Sequence, residues 1–165
     1  YEADDGDIFG QYVNADGDIM WDATGVPLTI VAGKQDALNA CSDGNGGAFI
    51  IWNDQSVSQH GHTYGTHLTT LQADIIAPET GVPILEGPGS RSSVSIETGG
   101  VGFATMVFEQ VISGEGTDIY SQRIDSGCNT IWSASDENGV VICSAVGNGW
   151  RRNTAFTLAT TSLGL

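Results

Sequence analysis

The chain has 165 residues and a formal net charge of −15, because its 20 Asp and Glu residues far outnumber its 5 Lys and Arg residues. This charge argues against binding to nucleic acid or to anionic lipid, since both would repel the chain. No apolar run approaches the roughly 20 residues of a membrane-spanning helix, so we expect no membrane insertion. We expect a single unit over residues 1–165.

The first third of the chain predicts short strands joined by turns. Residues 14–17 (Asn-Ala-Asp-Gly) have hairpin-turn chemistry, and a Gly-rich turn over 42–47 precedes an apolar run. We predict strands over 8–13, 18–21, 26–31, 37–41 and 48–52. No window longer than ten residues has a convincing helical period, so the predicted fold is all-β.

The sequence also repeats itself. Residues 7–11 (Asp-Ile-Phe-Gly-Gln) match 118–122 (Asp-Ile-Tyr-Ser-Gln), and Trp21 matches Trp132, both at an offset of 111. A middle copy follows from residues 24–27 (Thr-Gly-Val-Pro), which recur 56 residues later at 80–83. Three repeats of about 55 residues, approximately 7–61, 62–116 and 117–165, therefore account for the chain, and the last copy is incomplete.

Each repeat is predicted to form four or five short strands, as in a propeller blade or a trefoil lobe. Such a unit must stack on its neighbours to bury its apolar faces. Three blades are too few to close a propeller, where roughly four to eight are usual. The chain is therefore expected to be part of a longer array, an oligomer that pools its blades, or a closed β-trefoil.

The repeat resembles a known tandem repeat of large secreted and cell-surface bacterial proteins. The resemblance rests on the frame Asp-Ile-Phe/Tyr-x-Gln, Trp, Gly-Val and Ser-Asp-Gly-x-Gly-Gly, which runs from Asp7 to Trp52 and from Asp118 to Ile142. That family is regarded as propeller-like, so the resemblance implies β-blades outside the cell. It brings no catalytic residues to this chain.

Three acid-rich turns offer the hard oxygen ligands that calcium prefers. The candidate calcium ligands are Asp16, Asp18, Asp22, Asp43 and Asn45. None of these turns matches the EF-hand loop, and Asp, Asn and Gly are also the residues that tight turns use. Calcium binding and plain turn chemistry are both open at this point.

The histidines and the aromatic residues suggest further sites. His60, His62 and His67 contain a His-x-His pair that could bind zinc or copper, or they belong to a polar loop. Trp21 and Trp132 occupy equivalent repeat positions, which predicts packing. Trp150 stands outside the repeat pattern beside Arg151 and Arg152, and these three residues are the candidate ligand-binding surface.

The cysteines are too few for a disulfide scaffold. Cys128 and Cys143 could pair and close a loop of about 16 residues, worth about 3 kcal/mol in the chain-entropy model. The alternative is that these two and Cys41 are small buried residues of strands.

The sequence begins at Tyr1 without an initiator Met and contains the single lysine Lys34, so we expect a processed protein that is secreted or displayed on the cell surface. It carries no catalytic motif, so we expect no enzyme activity. The predicted function is a structural or adhesion module within an extracellular assembly. Its partners would be copies of itself or further blades. A carbohydrate-binding lectin, with glycans as partners, is the alternative, and a propeller glycosidase is the third possibility.

Overall fold

A computed structural model describes residues 6–56, 61–69, 79–87, 89–112, 116–132 and 139–144, with the backbone alone at 93 and 112. The described residues form ten strands and no helix, which confirms the all-β prediction. The strands are β1 (Ile8–Gly10), β2 (Val26–Thr29), β3 (Gln35–Ser42), β4 (Ala48–Asp54), β5 (His62–Leu68), β6 (Val82–Leu85), β7 (Ser90–Thr98), β8 (Phe103–Ile112), β9 (Gly116–Asp125) and β10 (Val140–Cys143). Within these ranges no helix has the length and apolar character needed to cross a membrane.

The strands form three antiparallel sheets in which chain neighbours pair. The first sheet contains β1 and β2, the second contains β3 to β6 in sequence order, and the third contains β7 to β10 in sequence order. Each four-stranded sheet takes two strands from the second half of one sequence repeat and two from the first half of the next. Sheet boundaries and repeat boundaries therefore fall at different places along the chain.

The three sheets stack face to face around two apolar clusters. Strand β4 lies between them, since Ile50 and Trp52 pack with first-sheet residues while Phe49 and Ile51 pack with third-sheet residues. Successive side chains of a strand point to opposite faces, so a strand covered on both faces must be apolar at every position. This explains why residues 49–52 form an uninterrupted apolar run.

The same strand pairing recurs in all three sheets. The cross-strand partners are Gly10 with Val26, Gly65 with Val82, and Ser121 with Val140. Each of these valines follows a glycine with positive φ, which is 79° at Gly25, 71° at Gly81 and 120° at Gly139. A Cβ at Gly25 would lie 2.8 Å from the carbonyl oxygen of Gly10, so the close approach of the strands requires glycine there.

Polar contacts also join the second sheet to the third. The Asn39 side chain donates a hydrogen bond of 3.0 Å from Nδ2 to the carbonyl oxygen of Val94, which joins β3 to β7. The backbone N–H of Gly102 donates to the carbonyl oxygen of Asp43 at 2.9 Å. The two sheets are therefore held together along their first strands as well as through their shared apolar cluster.

Candidate functional site

A glutamine side chain closes each of the two hairpins that carry the sequence repeat. Gln122 Oε1 accepts hydrogen bonds from the backbone N–H groups of Arg123 at 2.9 Å and Trp132 at 3.0 Å, while its Nε2 donates to the carbonyl oxygen of Trp132 at 3.1 Å. Gln11 Oε1 accepts in the same way from Tyr12 and Trp21, at 3.0 and 3.2 Å. The spacing of Gln and Trp by ten residues is thus the span of one side-chain bridge.

This bridge also explains why the strand predicted over 18–21 does not form. Only the pair Val13 and Ile19 makes a β-bridge in that hairpin. The backbone N–H of Trp21 then donates to the Gln11 side chain, where in a regular strand it would donate to a carbonyl oxygen of the neighbouring strand. The second hairpin behaves identically, with a bridge between Ile124 and Thr130. The side chain replaces strand pairing where the chain turns away from the sheet.

Three turns share one pattern, in which a side-chain oxygen accepts two backbone N–H groups from two and four residues later in the chain. The acceptors are Asn14 for Asp16 and Asp18, Asp43 for Asn45 and Gly47, and Asp125 for Gly127 and Asn129, all at 2.7–3.0 Å. Asx turns of this kind satisfy backbone donors that have no partner in a ladder.

The predicted calcium ligands lie in or beside these turns. Asp22 Oδ1 accepts from the backbone N–H of Thr24 at 3.0 Å and from its hydroxyl at 2.7 Å, and these bonds lower the pKa of Asp22. In the described part of the chain, no three His, Cys, Asp or Glu side chains converge on a point that could hold a metal ion. Calcium binding by Asp16, Asp18, Asp22, Asp43 and Asn45 stays a prediction.

His67 makes a buried ion pair with Asp43. Its Nε2 lies 3.0 Å from Asp43 Oδ2 and its Nδ1 lies 2.8 Å from the carbonyl oxygen of Ser126, while Phe49 stacks on the ring at 4.3 Å. Both ring nitrogens thus have an oxygen atom as their partner. The pair therefore connects the second sheet to the turn that follows β9.

Several forces act on the Asp43 carboxylate in this site. Burial raises its pKa, but hydrogen bonds from Asn45, His67 and Gly47 outweigh burial, so the pKa lies below its ordinary value. His67 has both nitrogens engaged and does not present a free ligand to a metal. His62 lies 3.9 Å from Glu86, and His60 lies outside the described residues.

The tryptophans occupy different environments. Trp21 packs against the cluster between the first and second sheets, as predicted. Trp132 is half-buried at the third sheet, on the face that points away from the second sheet. The predicted ligand-binding residues Trp150, Arg151 and Arg152 lie outside the described residues.

An open groove of about 550 Å³ lies beside Trp132. Its described lining is Ser121, Ile131, Trp132, Val140 and Ile142. The Ser121 hydroxyl is already used, since it donates to the carbonyl oxygen of Met106 at 2.8 Å. These described lining residues include no charged side chain, so this part of the groove suits an apolar partner. The sequence analysis missed this surface, although Val140 and Ile142 match Val26 and Leu28 of the first repeat.

All three cysteines are free thiols in the structure, which does not join Cys128 to Cys143. Cys128 is buried in the cluster between the second and third sheets, and burial raises its pKa to about 12. Burial likewise raises the pKa of Cys41 to about 11. Neither thiol forms a thiolate readily at neutral pH, so both behave as small apolar residues.

No family model matches the sequence, and no curated protein or solved structure matches it either. The class is therefore defined by the fold alone. The described residues make the chain an all-β protein of stacked antiparallel sheets with an open apolar groove at the third sheet.

Proposed function

We propose that the chain is a structural β-repeat module whose sheets are propeller blades, and that it works within a larger assembly or repeat protein outside the cell. The observation that carries this proposal is the recurrence of one sheet-to-sheet contact. Leu28 of the first sheet and Ile84 of the second occupy the same place, three residues after a positive-φ glycine, and both are buried against the following sheet.

The opposite side of the contact recurs as well. Tyr64 of the second sheet packs against the first sheet, and Tyr120 of the third sheet packs against the second. These tyrosines are cross-strand neighbours of Pro83 and Val141, which follow the equivalent valines. A contact that is built twice from the same sequence positions suits a module that stacks further units of its own kind.

The order of strands supports blades rather than trefoil lobes. The second and third sheets are four-stranded antiparallel meanders in sequence order, as blades are. Each is completed by strands of the next repeat, so neighbouring repeats are interlocked through main-chain hydrogen bonds. A further repeat would extend the stack without changing any existing strand.

The composition supports the proposed location outside the cell and a structural role. A net charge of −15 with one lysine keeps an extended surface solvated and suppresses adventitious association. Apart from Ser121, whose hydroxyl donates to the Met106 carbonyl oxygen, the described residues that line the groove are apolar, which favours protein packing over recognition of a polar ligand such as a sugar.

Sedimentation velocity over a wide range of protein concentrations tests the proposal. An assembly module should form species larger than the monomer, and more of them in high salt, because salt screens the repulsion between acidic chains. A monomer at every concentration, with and without salt and calcium, would contradict the proposal. Specific binding to a glycan array by that monomer would favour the lectin alternative instead.

A further inference from the structure

We propose that the groove beside Trp132 binds the first sheet of a second copy of this chain, so that copies associate head to tail. This inference rests on the proposed function and names the partner and the surfaces. It follows from comparing residues that occupy the same repeat position but differ in exposure.

The open side of the third sheet repeats a face that is buried twice within the molecule. Ile142 is 46% exposed, whereas its equivalents Leu28 and Ile84 are 2% and 6% exposed because each packs against the next sheet. Val140 is also exposed, while the equivalent Val26 packs against the apolar cluster between the first and second sheets. Among the described residues, the third sheet thus presents the same apolar positions with no further sheet packed on them.

The first sheet presents the complementary face. Phe9 is 48% exposed, whereas Tyr120, which lies 111 residues later, is 4% exposed in the contact between the second and third sheets. Val13 is half-exposed, whereas its equivalent Ile124 is fully buried in that same cluster. The first sheet therefore exposes the positions that, in the third sheet, pack against the preceding sheet.

The two open faces are the two halves of one contact. Within the molecule, Ile84 shares an apolar cluster with Tyr120 and Ile124. Between copies, Ile142 of one chain would meet Phe9 and Val13 of the next in the same arrangement. The contact is heterologous, because it joins two different surfaces, and it leads to rings or open filaments rather than to a symmetric dimer.

The width of the groove also matches the width of the first sheet. On the outer face of the third sheet, Val107 of β8 and Ile119 of β9 are buried, so the groove is confined to the β10 side. The first sheet has two strands, β1 and β2, which correspond to β9 and β10. A two-stranded sheet at that position would cover the β10 side of its neighbour.

Trp132 has a counterpart that indicates its role in the contact. Trp21 lines a small cavity with Ala48 and Leu68 of the second sheet. Leu68 lies 55 residues after Val13 and occupies the same repeat position. In the proposed contact, Trp132 would pack beside Val13 of the second copy, as Trp21 packs beside Leu68.

Three aspartate variants test the inference by sedimentation velocity. Val140→Asp places a charge in the groove, Phe9→Asp places one on the opposite face, and Val101→Asp is the control, since Val101 is exposed in the turn between β7 and β8. Val140→Asp and Phe9→Asp should each weaken association about 100-fold, because an unpaired carboxylate would be buried. Val101→Asp should associate like the wild type.

Mixing the variants distinguishes head-to-tail association from other arrangements. Val140→Asp keeps an intact first sheet and Phe9→Asp keeps an intact groove, so an equimolar mixture should form dimers and grow no further. Circular dichroism and melting temperature should match the wild type for both variants.

Other outcomes would overturn the inference. If the wild type associates but Val140→Asp and Phe9→Asp do not weaken it, this interface is wrong while the proposed function stands. If only Val140→Asp disrupts association, the groove packs on another surface or partner. A lowered melting temperature without a change in association would mean that the chain covers its own groove. A wild type that is always monomeric would contradict both proposals.

Discussion

The His67 ring donates a hydrogen bond from Nε2 to Oδ2 of Asp43 across 3.0 Å, and both side chains are almost fully buried. The second nitrogen, Nδ1, lies 2.8 Å from the carbonyl oxygen of Ser126 in the turn after β9, so one histidine ring connects the turn before β4, the end of β5 and the third sheet. A buried ion pair is costly to break from one side, because the remaining charge keeps no partner.

Asp43→Asn should lower the free energy of unfolding by about 2 kcal/mol, because the amide nitrogen would replace Oδ2 opposite His67 Nε2 and leave a buried polar group without its partner. The asparagine still accepts the turn hydrogen bonds from Asn45 and Gly47. The matched control is Asp125→Asn, since Asp125 makes the same turn bonds and pairs with Asn129 rather than a histidine. Urea titration measures both, and an equal loss in the two variants would contradict the ion-pair role.

The same carboxylate predicts an acid-sensitive fold. Hydrogen bonds hold the Asp43 pKa below its ordinary value despite burial, so its contribution to stability is fully present above about pH 4. That contribution is lost as the pH falls through the lowered pKa of the folded state. Urea midpoints measured across the acid range should therefore fall more steeply for the wild type than for Asp43→Asn. Parallel curves would show that another group controls acid unfolding.

Gln122→Ala should cost about 2–3 kcal/mol, because Gln122 is fully buried and its removal leaves backbone groups of Arg123 and Trp132 unpaired in a partly buried hairpin. The equivalent Gln11→Ala should cost less, about 1 kcal/mol, since water can reach the exposed first hairpin. Thermal unfolding of the two variants gives the comparison. A larger loss at Gln11 would mean that burial does not set the strength of the bridge.

Gly139→Ala should be strongly destabilising, by about 3 kcal/mol or more, because its φ is 120° and a Cβ would collide with the carbonyl oxygen of Ser121. Gly100→Ala is the matched control, since its φ is 104° and nothing lies within 4 Å of an added Cβ. That control should lose only the cost of placing an L residue at positive φ, about 1–2 kcal/mol. Similar urea midpoints for the two variants would exclude the steric explanation.

The thiols should react in a fixed order. Cys143 is half-buried on β10, whereas Cys128 is buried and has a raised pKa. Native protein treated with iodoacetamide should therefore be labelled first at Cys143, as mass spectrometry of peptides would detect. Intact protein without reductant should carry three free thiols. A mass lower by two hydrogen atoms, with Cys128 and Cys143 both protected from labelling, would instead support the predicted disulfide.

Much of the local structure could be predicted because it depends on short-range chemistry. The hairpin turn at Asn14 and the spacing from Gln11 to Trp21 both reflect hydrogen bonds within a dozen residues of chain. The apolar run over 48–52 likewise predicted the strand that forms there as β4. The strand predicted over 18–21 was wrong, because the sequence pattern does not reveal that the Gln11 side chain takes the place of strand pairing there.

The candidate sites were harder to predict. Asp43 attracted a calcium interpretation from its turn residues, while its partner His67, 24 residues away, was considered only with His60 and His62. Their pairing depends on β4 and β5 lying side by side, and the third contact, to Ser126, depends on the neighbouring sheet. No local spacing encodes such a contact.

By itself, the sequence determined the all-β class, the turns and the recurring positions at offsets of 56 and 111, because these follow from backbone chemistry and from periodicity. Only the tertiary structure decided where one sheet ends and which equivalent residue is covered. Leu28, Ile84 and Ile142 are almost the same residue in the same place, yet the first two are buried and the third is exposed. The physical reason is that burial is set by the neighbouring sheet, and a repeat in the sequence does not say whether a neighbour follows it.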